Sequence, residues 1–325
     1  MIAFARAGWQ VLAQARRCPN QLPEGARHLA IDLSNTDELT AAASGASVLV
    51  YAINPLYTKW ATELLPLARS AMHIAHNLSA TFMLPGNVYN YGVPMSPLLL
   101  EDSPQRPTSR KGKLRFDLEA EMASGARAST GPRSIVIRAG DFFGAGRGTW
   151  LDLAIVKSLA KGRLTYPGPL NVVHPWAYLP DLANTFVAVA NRLVSASANR
   201  EDLPPFLRFH FAGRSLNGTE LLQCIERAAR QLGIAPADGF KYGGMPWGAI
   251  RAGGLFVPMW REVAEMQYLW DQPHKLDDRA LKKFIGDIPN TDFNAAMCEA
   301  LIALGLAKRD SAQVARPVGS SAASS

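Results

Sequence analysis

The sequence has few cysteines and no long uncharged apolar segment. Of its 325 residues only three are cysteines, Cys18, Cys224 and Cys298, and they form no CxxC or CxxxH pair. This spacing predicts no metal site, and the odd count is typical of a reducing compartment. No stretch approaches the ~18 apolar residues of a membrane helix. The opening residues 1–7 are too short for the apolar core of a secretion signal and contain an arginine. We therefore expect a cytoplasmic protein without a membrane partner.

Charge is also sparse. Charged residues make up 19% of the chain and hydrophobic residues 48%, which is typical of a globular protein with a large core. The net charge of +7 is mildly basic, and the basic residues are scattered apart from a run over 110–115. Such a run is usually a solvated face, so no nucleic-acid partner is predicted. Alternatively, Arg110 and Lys111 neutralise an anionic substrate.

Strand and helix patterns alternate from Met1 to about residue 140. Continuous apolar runs at 47–52 and 134–138 predict strands that are covered on both faces. An amphipathic helix is predicted over 60–77, and another over 114–122 with Glu119 and Glu121 on its solvent side. The alternation predicts an α/β protein with a doubly wound parallel sheet. Later segments predict helices at 151–161, 179–192, 218–232 and 294–304, an irregular stretch at 242–258 and a disordered tail over 311–325.

The first residues have the pattern of the second half of a βαβ nucleotide-binding unit. A short helix over 1–7 is followed by a strand over 9–15 and then by Arg16 and Arg17. We expect the first strand of the unit and its glycine-rich phosphate loop to lie upstream of Met1. Either the natural chain begins earlier, or this is a truncated form that cannot bind a dinucleotide in the usual way.

Four stretches, taken together in their order and spacing, carry a resemblance to a known family. They are Pro85-Gly86-Asn87-Val88-Tyr89-Asn90-Tyr91-Gly92, Glu101-Asp102-Ser103-Pro104, residues 138–146 and residues 174–181. The chain resembles the extended short-chain dehydrogenase/reductases, in their NAD(P)-dependent epimerase/dehydratase branch, over residues 1–306. The resemblance implies a Rossmann-like domain (1–192) that lacks its N-terminal strand, and a smaller substrate-binding region (193–310) interleaved with it.

The resemblance also implies where a dinucleotide would bind. Arg16 and Arg17 stand where an acidic residue would contact the adenosine ribose, and guanidinium groups favour the 2′-phosphate of NADP over NAD. NAD stays possible. The remaining candidates are Asp32 and Leu33 beside the adenine, and Ala52, Ile53 and Asn54 beside the nicotinamide ribose and diphosphate. Asp32 fits equally well as the cap of the turn that follows it.

Two of the three catalytic positions that the resemblance implies are changed. Lys113 matches the family's lysine, which holds the nicotinamide ribose, but Ser109 replaces the tyrosine and Pro85 replaces the serine or threonine. A serine hydroxyl is a far poorer acid than a phenol. Tyr91 is therefore the candidate substitute acid. Asn87, Tyr89, Asp141 and His174 are candidate substrate contacts, although Tyr89 also fits a structural role.

These residues predict an NADP-dependent oxidoreductase or epimerase that acts on a carbonyl or sugar-like small molecule. A homodimer is expected only because homodimers are common in the family. The changes at Pro85 and Ser109 leave two alternatives open. One is a non-catalytic NAD(P)-binding sensor or scaffold protein with a degraded catalytic triad, and the other is an inactive truncated product.

Overall fold

The computed structural model describes residues 1–144 and 146–309. Its strands are β1 (Val11–Gln14), β2 (Ala26–Leu29), β3 (Val48–Val50), β4 (Thr81–Gly86), β5 (Leu98–Leu99), β6 (Ser134–Ala139), β7 (Asp141–Phe143), β8 (Arg163–Tyr166), β9 (Val173–Tyr178), β10 (Phe206–Phe211), β11 (Arg214–Asn217), β12 (Lys241–Gly244) and β13 (Lys275–Leu276). Its helices are α1 (Ile2–Arg6), α2 (Thr36–Ala42), α3 (Trp60–Asn77), α4 (Arg110–Arg127), α5 (Leu179–Ala198), α6 (Gly218–Gln231), α7 (Trp247–Gly253), α8 (Pro258–Ala264), α9 (Tyr268–Asp271), α10 (Arg279–Ile285) and α11 (Phe293–Ala303).

The predicted parallel sheet is present, in two parts. Four parallel strands lie in the order β10-β6-β4-β3, and β1 pairs in parallel with β2 alone. Within the described residues no strand joins β1 to β3, so each of these strands keeps one edge without a ladder partner. The break between β1 and β3 lies where the first strand of a Rossmann-like domain would pair.

Both faces of the four-stranded part are covered, as the apolar runs predict. Phe82 and Leu84 of β4 enter a core with α2, α3 and α4, whereas Met83 enters a second core with α5 and α10. This alternation follows from the period of two along a strand. Helices on both faces and parallel strands make this a doubly wound α/β fold.

A third core holds the later part of the chain together. β11, β9 and β7 form a three-stranded sheet, and α6 and α11 pack with them and with the pair β8–β12. α6 begins with a capping box. The side chain of Asn217 accepts a hydrogen bond from the N–H of Glu220 at 2.9 Å, and the N–H of Asn217 donates to the carboxylate of Glu220.

Several sequence-based element predictions need correction. The predicted helix over 151–161 is a π-helical turn at Leu151–Ile155 followed by a 3₁₀ turn at Leu159–Lys161, although its apolar stripe is buried as expected. Packing therefore holds this segment without a continuous α-helical ladder. α4 starts four residues earlier than predicted because Ser109 caps it, and the stretch predicted to be irregular contains β12 and α7.

None of the described helices combines the length and the apolarity that crossing a bilayer requires. The predicted disordered tail over 311–325 lies outside the described residues.

Gly140 makes the close approach of the two sheets possible. It joins β6 to β7, and a Cβ atom at this position would lie 2.0 Å from the carbonyl oxygen of Pro175 in β9. That distance is far inside van der Waals contact with a backbone atom, which has little freedom to retreat. Because Gly140 has no side chain, its backbone packs directly on β9, and this contact sets the position of Asp141, the first residue of β7.

We expect Gly140→Ala to lower the free energy of unfolding by at least about 2 kcal/mol, because the methyl group forces β9 away from β6. Urea denaturation followed by circular dichroism measures the change. Gly243→Ala in β12 is the matched control, since the nearest atom to its added Cβ is 4.0 Å away. Equal stability of the two variants would contradict this account.

Candidate active site

The candidate site lies at the carboxyl ends of the parallel strands. β3, β4 and β6 run in the same direction, so the residues that follow them meet at one edge of the sheet. These are the segments 51–54, 87–91 and 140–141. In open α/β sheets this edge is where ligands bind.

Two tyrosines form a hydrogen-bonded pair at this edge. The hydroxyl groups of Tyr57 and Tyr89 lie 2.9 Å apart, and Trp60 packs against both rings. Tyr89 is buried and Tyr57 is partly accessible. Burial raises the pKa of both phenols. For Tyr57 the hydrogen bond with Tyr89 and the charge of Arg115 lower the pKa, and the charge of Asp141 raises it. Both phenols therefore carry their protons at neutral pH.

Two basic residues of α4 face this pair. The Arg115 guanidinium lies over the ring of Trp60, 4.8 Å from its centroid, and the Lys111 ammonium lies 5.0 Å from the centroid of Tyr57. Lys111 is only 1% exposed. Gly112 lets α4 come this close, because a Cβ atom there would lie 2.4 Å from the carbonyl oxygen of Tyr89.

The Lys111 ammonium is neutralised by two carboxylates from the C-terminal region. Its Nζ donates to Glu262 and, at 2.6 Å, to Glu265. Arg110 also binds Glu262, at 2.8 Å. Burial works to raise the pKa of Glu262, but Lys111 and Arg110 outweigh it and the pKa is lowered. The interpretation of residues 110–115 as a wholly solvated run is therefore wrong for Lys111.

Asp141 connects the tyrosine pair to a buried aromatic cluster. Its carboxylate lies 3.3 Å from Nδ1 of His174, whose ring stacks on Trp270 with centroids 4.6 Å apart and meets His274 edge-on at 4.8 Å. Burial raises the pKa of Asp141 to about 7 and lowers the pKa of His174 well below its usual range. Buried nitrogen atoms of this cluster make no hydrogen bond within the described residues: those of His174, Nε2 of His274, and Nε1 of Trp176 and Trp270.

The predicted cofactor contacts follow three successive strands, β1, β2 and β3. Arg16 and Arg17 are exposed after β1, and the positive charge of Arg16 acts on Asp32. Asp32 accepts from the N–H and the hydroxyl of Ser34, at 2.9 and 2.7 Å, so it does cap the following turn. Leu33 is buried in the first core, whereas Ala52, Ile53 and Asn54 are exposed after β3.

Tyr91 belongs to a buried network. Its hydroxyl lies 2.7 Å from Nε2 of His210 and 2.6 Å from Arg138, which pairs with Glu119 at 2.5 Å. Burial raises the pKa of Tyr91 to about 12. Tyr91 is thus not accessible as the substitute acid that the sequence predicts. The prediction that Glu119 faces solvent is wrong, because this carboxylate compensates the buried charge of Arg138.

The other predicted site residues have local roles. Lys113 is 69% exposed on the outer face of α4, where it pairs with Asp117, apart from Lys111 and Arg115. Ser109 accepts from the N–H of Gly112 at 3.0 Å and so caps α4. Asn87 accepts from the N–H of Tyr89 at 3.1 Å, which orients the turn that carries the tyrosine.

Tyr57 and Arg115 are absent from the sequence-based site predictions. Lys111 was expected only in a solvated run or as a contact to an anionic substrate. The signal for Lys111 and Arg115 is present in the helix period: Lys111, Arg115, Leu118 and Met122 follow one another at steps of four, three and four residues, Glu119 lies four residues after Arg115, and all five are buried. A stripe of this kind is one face of a helix, and its charged members need buried partners.

Known structures share this fold. No protein-family model matches the chain, and no curated protein matches its sequence. A UDP-glucose 4-epimerase from Bifidobacterium longum in complex with NAD+ and UDP superimposes with a TM-score of 0.68 at 12% identity, over 92% of both chains. MoeE5 in complex with UDP-glucuronic acid and NAD gives 0.67 at 14% identity over 93% of both chains. TunA, an NAD-dependent NDP-hexosamine 5,6-dehydratase involved in tunicamycin biosynthesis, gives 0.64 at 16% identity over 93% of this chain and 91% of TunA.

The predicted resemblance is confirmed at the level of the fold: the chain has the Rossmann-type fold of the NAD-dependent epimerases and dehydratases. At these identities the likeness concerns architecture alone.

We expect Glu119→Gln to destabilise the protein by about 3–5 kcal/mol, because it leaves the Arg138 guanidinium buried without a counter-charge. Glu121→Gln is the matched control two residues away. Glu121 pairs with Arg69 at the surface, where an ion pair contributes about 0–1 kcal/mol. Chemical denaturation measures both variants, and similar small losses in the two would contradict the buried pair.

The raised pKa of Asp141 predicts a pH effect on stability. The folded protein retains a proton at Asp141 up to about pH 7, whereas the unfolded chain releases it near pH 4. Stability therefore falls as the pH rises through this window, and Asp141→Asn removes that loss. We expect the variant to gain a few kcal/mol relative to the wild type between pH 4 and pH 8, measured by urea denaturation. Parallel profiles would contradict a protonated Asp141.

Proposed function

We propose that this protein is an enzyme of the epimerase/dehydratase type that binds a nicotinamide dinucleotide and acts on a sugar-like carbonyl compound. The observation that carries the proposal is the Tyr57–Tyr89 pair, which lies at the carboxyl edge of the sheet beside Arg115 and Asp141. A protonated phenol at this position is a proton donor for a substrate oxygen.

The residues around this edge fit a dinucleotide. Ala52, Ile53 and Asn54 are exposed beside the site, and Tyr51, at the end of β3, has a buried hydroxyl that makes no hydrogen bond to a described residue. At the other end, Arg16 and Arg17 would bind a 2′-phosphate, which favours NADP, whereas the MoeE5 and Bifidobacterium longum epimerase structures contain NAD. When bound, the nicotinamide supplies hydride transfer.

Tyr57 is the group to which we assign proton transfer, in place of Tyr91 and Ser109. It is the accessible member of the pair, and Tyr89 holds its hydroxyl in position through their hydrogen bond. The fixed positive charge of Arg115 favours the phenolate that Tyr57 becomes when it donates its proton. The ammonium of Lys111, which also lies next to Tyr57, is occupied by its bonds to Glu262 and Glu265.

Asp141 is a proposed substrate contact, whereas His174, also a candidate from the sequence, is buried behind it with 3% of its side chain exposed. With its pKa raised to about 7, Asp141 is protonated in part at neutral pH, and in that form it can donate a hydrogen bond as well as accept one. This suits a hydroxyl-bearing substrate. MoeE5 was solved with UDP-glucuronic acid, so nucleotide sugars are the first compounds to test.

We expect Tyr57→Phe to lower kcat by about 10²–10⁴-fold, because it removes the proton donor while leaving the ring in place. Turnover of UDP-glucose, UDP-galactose and UDP-glucuronic acid with NAD or NADP, followed by NMR, is the measurement. Tyr242→Phe, an exposed tyrosine on β12, is the control for loss of a hydroxyl. Full activity of Tyr57→Phe would overturn the assignment, and tight dinucleotide binding without turnover of any compound would favour a sensor or scaffold protein.

Replacing both Arg16 and Arg17 by alanine should weaken NADPH binding by at least about tenfold and leave NADH binding unchanged, because only NADPH carries the 2′-phosphate. The change in melting temperature with each cofactor measures this, since a ligand at a hundredfold excess over its Kd stabilises by about 2.7 kcal/mol. Equal losses for the two cofactors would contradict the selectivity, and no stabilisation of the wild type by either would contradict the cofactor.

A further inference from the structure

The turn between α7 and α8 exposes an unusually apolar tip. Leu255 and Phe256 are 82% and 86% exposed, and Val257, Met259 and Trp260 beside them are also exposed. Single exposed apolar residues are ordinary, but five large ones within six consecutive positions form a patch that marks an interaction site. We call residues 255–260 the apolar tip.

The apolar tip is held in a defined shape. The N–H of Phe256 and that of Val257 donate to the carbonyl of Gly253, at 3.0 and 2.8 Å. The ring of Trp260 packs onto Gly253 so closely that a Cβ atom there would lie 2.2 Å from it. Leu255 and Phe256 are therefore displayed by an ordered turn, and little ordering entropy is lost when they enter a new environment.

Along the chain, the charge of the apolar tip and its flanks has one sign. No acidic residue occurs between Asp238 and Glu262, while Lys241, Arg251 and Arg261 lie in that interval. Glu262 and Glu265, which follow, are engaged by Lys111 and Arg110, and Glu262 also lies 3.8 Å from the exposed Arg261. An apolar tip flanked by arginines and carrying a tryptophan at its base is complementary to an anionic bilayer surface, where apolar side chains enter the acyl region and cations stay at the headgroups.

The size of the tip argues against a second copy of the chain as its partner. The two strongly exposed side chains and the three partly exposed ones beside them offer an area of a few hundred Å². A stable interface needs about 800 Å² on each partner. A bilayer has no such requirement, because each inserted side chain and each basic residue contributes independently.

We propose that the apolar tip anchors this protein peripherally to membranes that contain anionic phospholipid, with Leu255 and Phe256 inserted and Arg251 and Arg261 at the headgroups. This binding mode involves no spanning helix. It departs from the sequence-based expectation of no membrane partner, which took only long apolar segments into account. It does not depend on the proposed enzymatic function.

The test is co-sedimentation of the full chain with vesicles of equal parts phosphatidylcholine and phosphatidylserine, and with vesicles of phosphatidylcholine alone. We expect the protein to bind the mixed vesicles more tightly than the vesicles of phosphatidylcholine alone. We expect salt to weaken its binding to the mixed vesicles. The double variant Leu255→Ser/Phe256→Ser should bind at least about tenfold more weakly, and Arg251→Gln and Arg261→Gln about fivefold each.

Val194→Ser is the matched control, because Val194 is an exposed apolar residue on α5, which packs in the second core, away from the tip. It should bind as the wild type does, and melting temperatures establish that every variant is folded. Quenching of Trp260 by brominated lipid, absent in Trp260→Phe, would support insertion. Failure to bind mixed vesicles, or unchanged binding of the double variant, would overturn the proposal. So would a dimer in analytical ultracentrifugation that the double variant abolishes, since a second copy would then cover the tip.

Discussion

The buried ion pair between Glu119 and Arg138 is the contact on which the arrangement of the site depends. Arg138 lies in β6 and Glu119 in α4, so the pair fixes the helix against the sheet. Neither charge is tolerable there alone, because desolvating a single ion costs several kcal/mol. Asn90 donates to Glu119 at 3.0 Å and Tyr91 binds Arg138, which brings the turn after β4 into the same network. The position of Tyr89 follows from these bonds.

The helix period then delivers the charges of the site. Counting back four residues from Glu119 gives Arg115, and four more gives Lys111, so one face of α4 carries three buried charged groups in a row. Each charge is satisfied differently: Glu119 by Arg138, Lys111 by Glu262 and Glu265, and Arg115 mainly by the aromatic face of Trp60. Among the described residues, no carboxylate lies within ion-pair distance of Arg115. Its positive charge therefore acts on the tyrosine pair, where it lowers the pKa of Tyr57.

The sequence was sufficient for the fold and insufficient for the site. Apolar runs such as 134–138 and amphipathic stretches such as 60–77 are long and periodic, and both predicted elements are present. The site depends on pairings distant in sequence, such as Lys111 with Glu262, which no local pattern encodes. Matching single positions of the family motif predicted Lys113 as the site lysine, but this residue is exposed. The periodic pattern of buried residues along α4 indicates Lys111 and Arg115 instead. Tyr57 was missed because it follows β3 in a short turn without any periodic signal.

α8 connects the site to the molecular surface. Its inner side carries Glu262, which binds Lys111 next to the tyrosine pair, and Met259 and Trp260 of the apolar tip lie one turn earlier. α8 has seven residues and packs on α7 and on the Tyr57–Lys59 turn, so it joins the apolar tip to the turn that carries Tyr57. A shift of the helix at the tip would therefore alter the distance between Glu262 and Lys111. The net charge beside Tyr57 would change with that distance. If Glu262 moved away, the positive charge of Lys111 would be less neutralised and would act more strongly on the Tyr57 phenol.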